Sequence, residues 1–389
     1  MFLKKNTKIV FINILVLIGI LFCIELFFKI NKFYNFLSTF HTTPTMPPVK
    51  SLNTEQVKQK YGSNINNIPE EYRANIDPRL NKFTLANVDQ SSKITPFYPY
   101  GKSDEISVIS TQYHLLPPNQ DIIIYAADYK LYQDNLRVVE NQDHKKKTSK
   151  FILTMGDSFT FGQGVSTGKD YPSQLAKKIG NQWKIYNFAR PGDGPNDTIF
   201  GLTTNPNYLS KVKESEGIVI WYFIDSHFER LLCTFLCYQT GEYQSYISNK
   251  PHFEFDGNDF IYKGSFLQSF DPKRKLQQLA SSLETIKFSG IGLADTYTHE
   301  QVEILAKSFL KIYTELKKHK KVTQFYLVFL DNTRSRPELI AAANKLGLAT
   351  LDFSDITVNE NAKYPIDRHP TSEFYWILSE ALKSKIDLK

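Results

Sequence analysis

Two hydrophobic patterns divide the chain. From Phe151 onward, apolar runs of strand length alternate with longer stretches whose apolar positions recur every three to four residues. Phe151–Met155, Trp183–Phe188, Glu216–Phe223, Phe325–Leu330 and Leu348–Phe353 are the strand candidates, rich in β-branched and aromatic residues. A helix is expected from near Asp170-Tyr171-Pro172, because proline suits a first helical turn. A long helix is expected over Thr298–Lys318, with Val302, Leu305, Phe309, Ile312 and Leu316 on one face. Two more are expected over Pro337–Leu346, with Gly347 as a stop signal, and over Glu373–Lys385. Phe253–Phe255 and Phe260–Tyr262 flank Asp256-Gly257-Asn258-Asp259, which predicts an inserted hairpin. Strands alternating with helices imply an α/β domain over 151–389, a mostly parallel sheet with helices on both faces. Ligands on such sheets bind beyond the carboxyl ends of the strands.

Before Phe151 the pattern is different. Ile9–Ile24 carries no charge and follows Lys4, Lys5 and Lys8. This predicts an uncleaved transmembrane helix within 1–32, basic tail inside. The run ends in Phe, Lys and Asn rather than the small residues of a cleavage site. Cys23 follows Phe22, where a lipoprotein site has a small residue. The expected localisation is therefore membrane-anchored, with the rest of the chain extracytoplasmic, either periplasmic or on the cell surface. Residues 33–50 include Thr42–Pro48 (TTPTMPP) and read as a tether. Residues 51–150 read as a β-rich lead-in, with strand pieces at Ile106–Ile109 and Asp121–Tyr125 around Pro117-Pro118.

Composition changes this picture little. The 389 residues are 41% hydrophobic and 22% charged, which is ordinary for a globular protein, and 14% aromatic, which allows carbohydrate or acyl stacking surfaces. The net charge of +7 includes the His144-Lys145-Lys146-Lys147 run. No aromatic residues interleave with those lysines, so a solvated loop explains them better than a nucleic-acid site. Of the three cysteines, Cys233 and Cys237 are four apart. In a helix that spacing makes a poor disulfide; an irregular loop would reopen it. No metal site is expected, because no further His or Cys lies nearby at ligand spacing.

Four stretches carry candidate chemistry. Gly156-Asp157-Ser158 follows the Phe151–Met155 strand, where a glycine permits a sharp turn that lifts a serine hydroxyl out of the sheet edge. Asn187–Asp197 (NFARPGDGPND) holds Gly192 and Gly194, which bring backbone N–H groups close to a ligand. Ile224-Asp225-Ser226-His227 directly follows another strand, and Asp367-Arg368-His369-Pro370 precedes the last helix. A serine is a weak nucleophile until a base takes its proton, and imidazole has the pKa for that task.

Together these stretches resemble the SGNH/GDSL hydrolase superfamily, over Phe151–Lys385. The resemblance implies a three-layer α/β/α flavodoxin-like fold. It implies Ser158 as nucleophile, His369 as base and Asp367 as the acid that orients it. It also implies an oxyanion hole from the N–H groups of Ser158 and Gly192. Asp157, Asn187, Asn196, Asp225 and His227 are then candidates for substrate contact or support. Two departures stand out. The superfamily's third block presents an Asn whose amide donates to the oxyanion, where this chain has Asp225, and a carboxylate cannot donate. Asn196 could substitute, or the hole has two backbone donors alone. The acid also lies two residues before the histidine, where three is commoner. Asp225 and His227 could instead pair structurally with Arg230.

The resemblance implies an extracytoplasmic serine esterase or O-acyltransferase acting on an acylated, most simply acetylated, cell-envelope glycan or a lipid, without metal or dissociable cofactor. The alternatives are a lipid esterase or phospholipase, and a non-catalytic binding or assembly subunit that keeps the fold.

Overall fold

The computed structural model describes residues 105–116, 120–132, 134–143, 147–234, 237–238, 246–269, 271–281, 297–330, 335–354, 356, 363–364 and 368–388. The expected anchor and tether, and Asp367, lie outside the described residues. Among those described, no helix is long and apolar enough to cross a membrane.

The centre is a five-stranded parallel sheet. Its strands are β3 (Lys150–Met155), β4 (Lys184–Asn187), β5 (Glu216–Phe223), β8 (Lys321–Phe329) and β9 (Ala349–Asp352), in the order β4-β3-β5-β8-β9. The order reverses at β3, which puts a topological switch point between β3 and β5. Strands buried on both faces need apolar residues at every position, and β5 is buried from Gly217 to Phe223.

Alternate residues serve opposite faces. Phe151, Leu153, Val219, Trp221, Phe325 and Leu327 pack in one cluster with α3 (Pro195–Thr204), α4 (Ser226–Leu232), α6 (His299–His319) and α7 (Arg336–Lys345). Ile152, Ile218, Ile220, Tyr222 and Val328 pack in another with α2 (Tyr171–Ile179) and α8 (Ser372–Lys385). The caps follow the sequence signals. Asp170 Oδ1 accepts from Ser173 N–H at 3.0 Å to cap α2, and Thr298 with Gln301 forms a capping box on α6.

Most expected elements appear within a residue or two of their predicted ends. β8 begins earlier, at Lys321, because its first residues alternate exposed and buried and break the apolar run. Besides a single turn at Ser158, three helices arise among the described residues where none was expected. α3 starts at Pro195 inside the glycine-rich stretch, α4 directly follows Asp225, and α5 spans Pro272–Ser281. The inserted hairpin is β6 (Pro251–Phe255) with β7 (Phe260–Ser265). In the lead-in, the short pieces are one long antiparallel hairpin, β1 (Glu105–Leu116) with β2 (Gln120–Tyr132).

Candidate active site

β3 ends at Met155, and the chain turns sharply at Gly156, whose φ is 135°. A Cβ there would meet Thr160 Oγ1 at 2.6 Å and the Tyr222 carbonyl at 3.3 Å, so only glycine fits. A one-turn helix follows, α1 (Ser158–Phe161), capped by Asp157 Oδ1, which accepts from Phe159 N–H at 3.0 Å. Ser158 thus stands at the first position of a helix at the carboxyl end of β3, beside the switch point. It is 6% exposed.

Asn187 at the end of β4 is a support. Its Nδ2 donates to the carbonyls of Thr160 (3.2 Å) and Phe161 (3.4 Å), which ties β4 to the turn that carries Ser158. Gly192 has φ 79°, a left-handed conformation that suits glycine. Neither the Ser158 nor the Gly192 N–H finds an acceptor among the described residues. Asn196 is buried in the first turn of α3, and its Nδ2 donates to the Pro251 carbonyl at 2.8 Å. Its amide therefore serves the α3–β6 contact. Asp225 sits beyond the carboxyl end of β5, the strand beside β3, at the start of α4.

His227 and Arg230, which the sequence also allowed to pair with Asp225, both turn toward Asp157. Arg230 Nη1 donates to Asp157 Oδ2 at 2.6 Å and to the Asp193 carbonyl at 3.0 Å. One guanidinium nitrogen thus links the turn before Ser158 to the turn after Gly192. Burial, the largest single effect, would raise the Asp157 pKa, but the Arg230 guanidinium, His227 and the Phe159 N–H together hold the carboxyl below its usual range. His227 Nδ1 accepts from Ile224 N–H at 3.2 Å, so the neutral ring carries its proton on Nε2, 4.0 Å from Asp157 Oδ2. Burial pushes the His227 pKa down to about 3, Asp157 notwithstanding. The ring is neutral near pH 7, and its contact with Asp157 is not an ion pair.

His369 comes from the far end of the chain and lies half-buried against Phe159, next to Ser158, with ring centroids 5.1 Å apart. Its loop is fixed by backbone bonds, Tyr364 N–H to the His369 carbonyl (2.8 Å) and Arg368 N–H to the Tyr364 carbonyl (2.9 Å). Two tyrosines dock the loop and α8 onto the segment that follows Ser158. The Tyr364 hydroxyl donates to the Gly164 carbonyl (2.9 Å), and the Tyr375 hydroxyl donates to the Phe159 carbonyl (2.7 Å). Ser158 Oγ makes no hydrogen bond among the described residues.

Sequence patterns alone did not point to Arg137. The residue is 1% exposed, and its guanidinium donates to the carbonyls of Phe161 (2.9 Å), Gly162 (2.6 Å) and Val165 (2.7 Å), with Nε 3.4 Å from Asp170 Oδ2. Tyr129 of β2 adds a hydroxyl accepting from Gly164 N–H at 2.8 Å. A lone arginine in an irregular stretch gives no spacing signal, so only the fold reveals it. Among the described residues no cluster of His, Cys, Asp and Glu could hold a metal ion.

No family model and no curated relative matches the sequence. Several solved structures resemble the fold at a distance. A member of the lipolytic G-D-S-L family from Veillonella parvula DSM 2008 shares 11% identity at TM-score 0.34, covering 62% of this chain and 100% of its own. An acetyl xylan esterase from the rumen bacterium Butyrivibrio proteoclasticus shares 10% at 0.36, covering 78% and 98%. A salicylyl-acyltransferase from a tetracycline biosynthetic pathway shares 12% at 0.30, covering 62% and 55%. At such similarity the chemistry has to be argued from this chain's own residues.

Proposed function

We propose that the chain is a serine esterase or O-acyltransferase of the SGNH/GDSL type, with Ser158 as nucleophile and His369 as base. One observation carries the reading. A serine at the switch point of a parallel sheet has, packed on the residue beside it, an imidazole from the opposite end of the domain. In this reading His369 takes the Ser158 proton as Oγ attacks an ester carbonyl. The oxyanion is met by the N–H groups of Ser158 and Gly192. Collapse expels the alcohol, which takes the proton back, and leaves an acyl-serine. Water then gives hydrolysis, and a sugar hydroxyl gives transfer. Asp367 is the proposed orienting acid.

The substrate proposed is an acylated envelope glycan or a lipid, with acetyl the simplest acyl group. What supports this placement is the uncharged Ile9–Ile24 run behind a basic tail. A second reading, a non-catalytic binding subunit, is favoured by the missing hydrogen bond on Ser158 Oγ and by Asp225 at the place of an oxyanion-donating Asn. Catalytic hydrogen bonds often tighten only with substrate bound, so the first reading stands ahead.

The test is hydrolysis of short-chain aryl acetates by the full chain in detergent. Wild-type turnover that falls to background in Ser158→Ala and by about 10²–10⁴-fold in His369→Ala supports an esterase core. Turnover that survives in Ser158→Ala contradicts it. Faster cleavage of long-chain esters would move the substrate to lipids.

A further inference from the structure

The end of α4 carries chemistry that the proposed reaction does not use. Cys233 and Cys237 are buried, and their Sγ atoms lie 2.6 Å apart. Unbonded heavy atoms pack at about 3.5–4.0 Å, whereas a disulfide bond measures about 2.05 Å. The two sulfurs are therefore held nearer to bonding distance than to contact distance.

The turn explains how a spacing of four reaches this geometry. α4 stops at Leu232, and Cys233 takes φ 44°, ψ 67°, a left-handed conformation unfavourable for a residue with a Cβ. Beyond it, the carboxylate of Glu229 gathers both Thr234 and Cys237. That carboxylate accepts from Thr234 N–H (3.0 Å), the Thr234 hydroxyl (2.7 Å) and Cys237 N–H (3.1 Å). Cys233 N–H closes the helix on the Glu229 carbonyl at 2.8 Å. Glu229, with the Thr234 carbonyl that also accepts from Cys237 N–H at 3.2 Å, thus supplies the bonds that fold Cys237 back over Cys233. Tyr238, Ile247 and Phe266 pack around the pair.

We propose that Cys233 and Cys237 form an intrachain disulfide that closes this turn and fixes the end of α4, the helix carrying Arg230, against the Asp157 turn. The oxidant is a small-molecule or protein disulfide. One cysteine thiolate attacks it, forms a mixed disulfide and releases the first thiol. The second cysteine thiolate then attacks the mixed disulfide at the cysteine sulfur and releases the second thiol. Two cysteines are oxidised, one disulfide is reduced to two thiols, and the two protons leave with those thiols. The bond forms while the turn is still accessible and is afterwards shielded from reductant. Such bonds persist in oxidising compartments, which agrees with the envelope placement proposed above without resting on it.

The test is thiol mapping of the full chain in detergent. The chain is refolded in a glutathione redox buffer, quenched in acid, alkylated with iodoacetamide under denaturing conditions without reductant, and digested with trypsin. Because Pro251 protects Lys250, both cysteines fall in one peptide, Leu231–Lys263. The expected peptide is two hydrogens lighter than the dithiol form and takes label at both cysteines only after reduction, while Cys23 is labelled throughout. Both cysteines alkylated before reduction, or either one linked to Cys23, would overturn the proposal. A second measurement reads the structural role. Complete reduction should lower the wild-type melting temperature by a few degrees and leave a Cys233→Ser, Cys237→Ser double variant unmoved. Equal behaviour of the two proteins would overturn the role assigned to the bond.

Discussion

Asp157 and Ser158 are neighbours in sequence with separate tasks. Ser158 faces the proposed chemistry, and Asp157 is buried beneath it as the anchor for Arg230 and the cap for α1. Arg230→Ala would leave that carboxylate buried without its cation, at a cost of about 3–5 kcal/mol. Arg230→Lys should keep much of the stability but slow the reaction. Both bonds come from Nη1 alone, and a lysine ammonium, a flexible point charge without the guanidinium's fixed N–H directions, would hold Asp157 and the Asp193 carbonyl less precisely. Melting temperature and esterase rate, measured on both variants, separate the two effects. His227 makes a pH prediction. Its folded pKa of about 3 lies below its ordinary value of 6.5, so between those limits the unfolded chain binds a proton that the folded one does not. Stability therefore falls as pH drops from 6.5 toward 3, by on the order of 1.4 kcal/mol per pH unit at most. His252, pushed down to about 4 mainly by burial, acts in the same direction. His227→Gln should remove one proton from the slope of stability against pH in this window and leave the His252 part. An unchanged slope would show that His227 is not the buried neutral group described.

Elements show which parts of the sequence were legible. Apolar runs such as Phe325–Leu330 marked strands, and helical spacing from Val302 to Leu316 marked α6, because burial itself sets those periods. The one-turn helix at Ser158 was invisible, since it is too short for a period and is made by the Asp157 cap. α3 was hidden because Gly192, Gly194 and Pro195 read as loop, although proline at a helix start is common. The role of the lead-in could not be read, because it lies in single long-range contacts such as Arg137 with the Phe161, Gly162 and Val165 carbonyls. Arg137→Ala should strand these carbonyls and the buried Asp170, destabilise the fold by several kcal/mol, and loosen the loop after Ser158. Amide hydrogen exchange reads the effect. Faster exchange at Gly162–Val165 than elsewhere is expected, and uniform exchange would contradict a local role.

At the scale of the molecule, the lead-in and the last loop and helix meet at one turn. β2 supplies Tyr129, the segment after it supplies Arg137, and the last loop and helix supply Tyr364, His369 and Tyr375. The resemblance already pairs Ser158 with His369; what the fold adds, with α8 packed beside α2, is that His369 lies against Phe159, the residue after Ser158. Arg230 bridges the Asp157 and Asp193 turns. The central claim is that Ser158 is a nucleophile activated by His369. The most direct measurement is covalent labelling of the full chain by a fluorophosphonate, with the modified residue found by peptide mapping. The account predicts a single adduct on Ser158, absent in Ser158→Ala and formed about 10²–10⁴-fold more slowly in His369→Ala. No adduct on Ser158 in a folded wild-type chain, or labelling indifferent to His369, would contradict it.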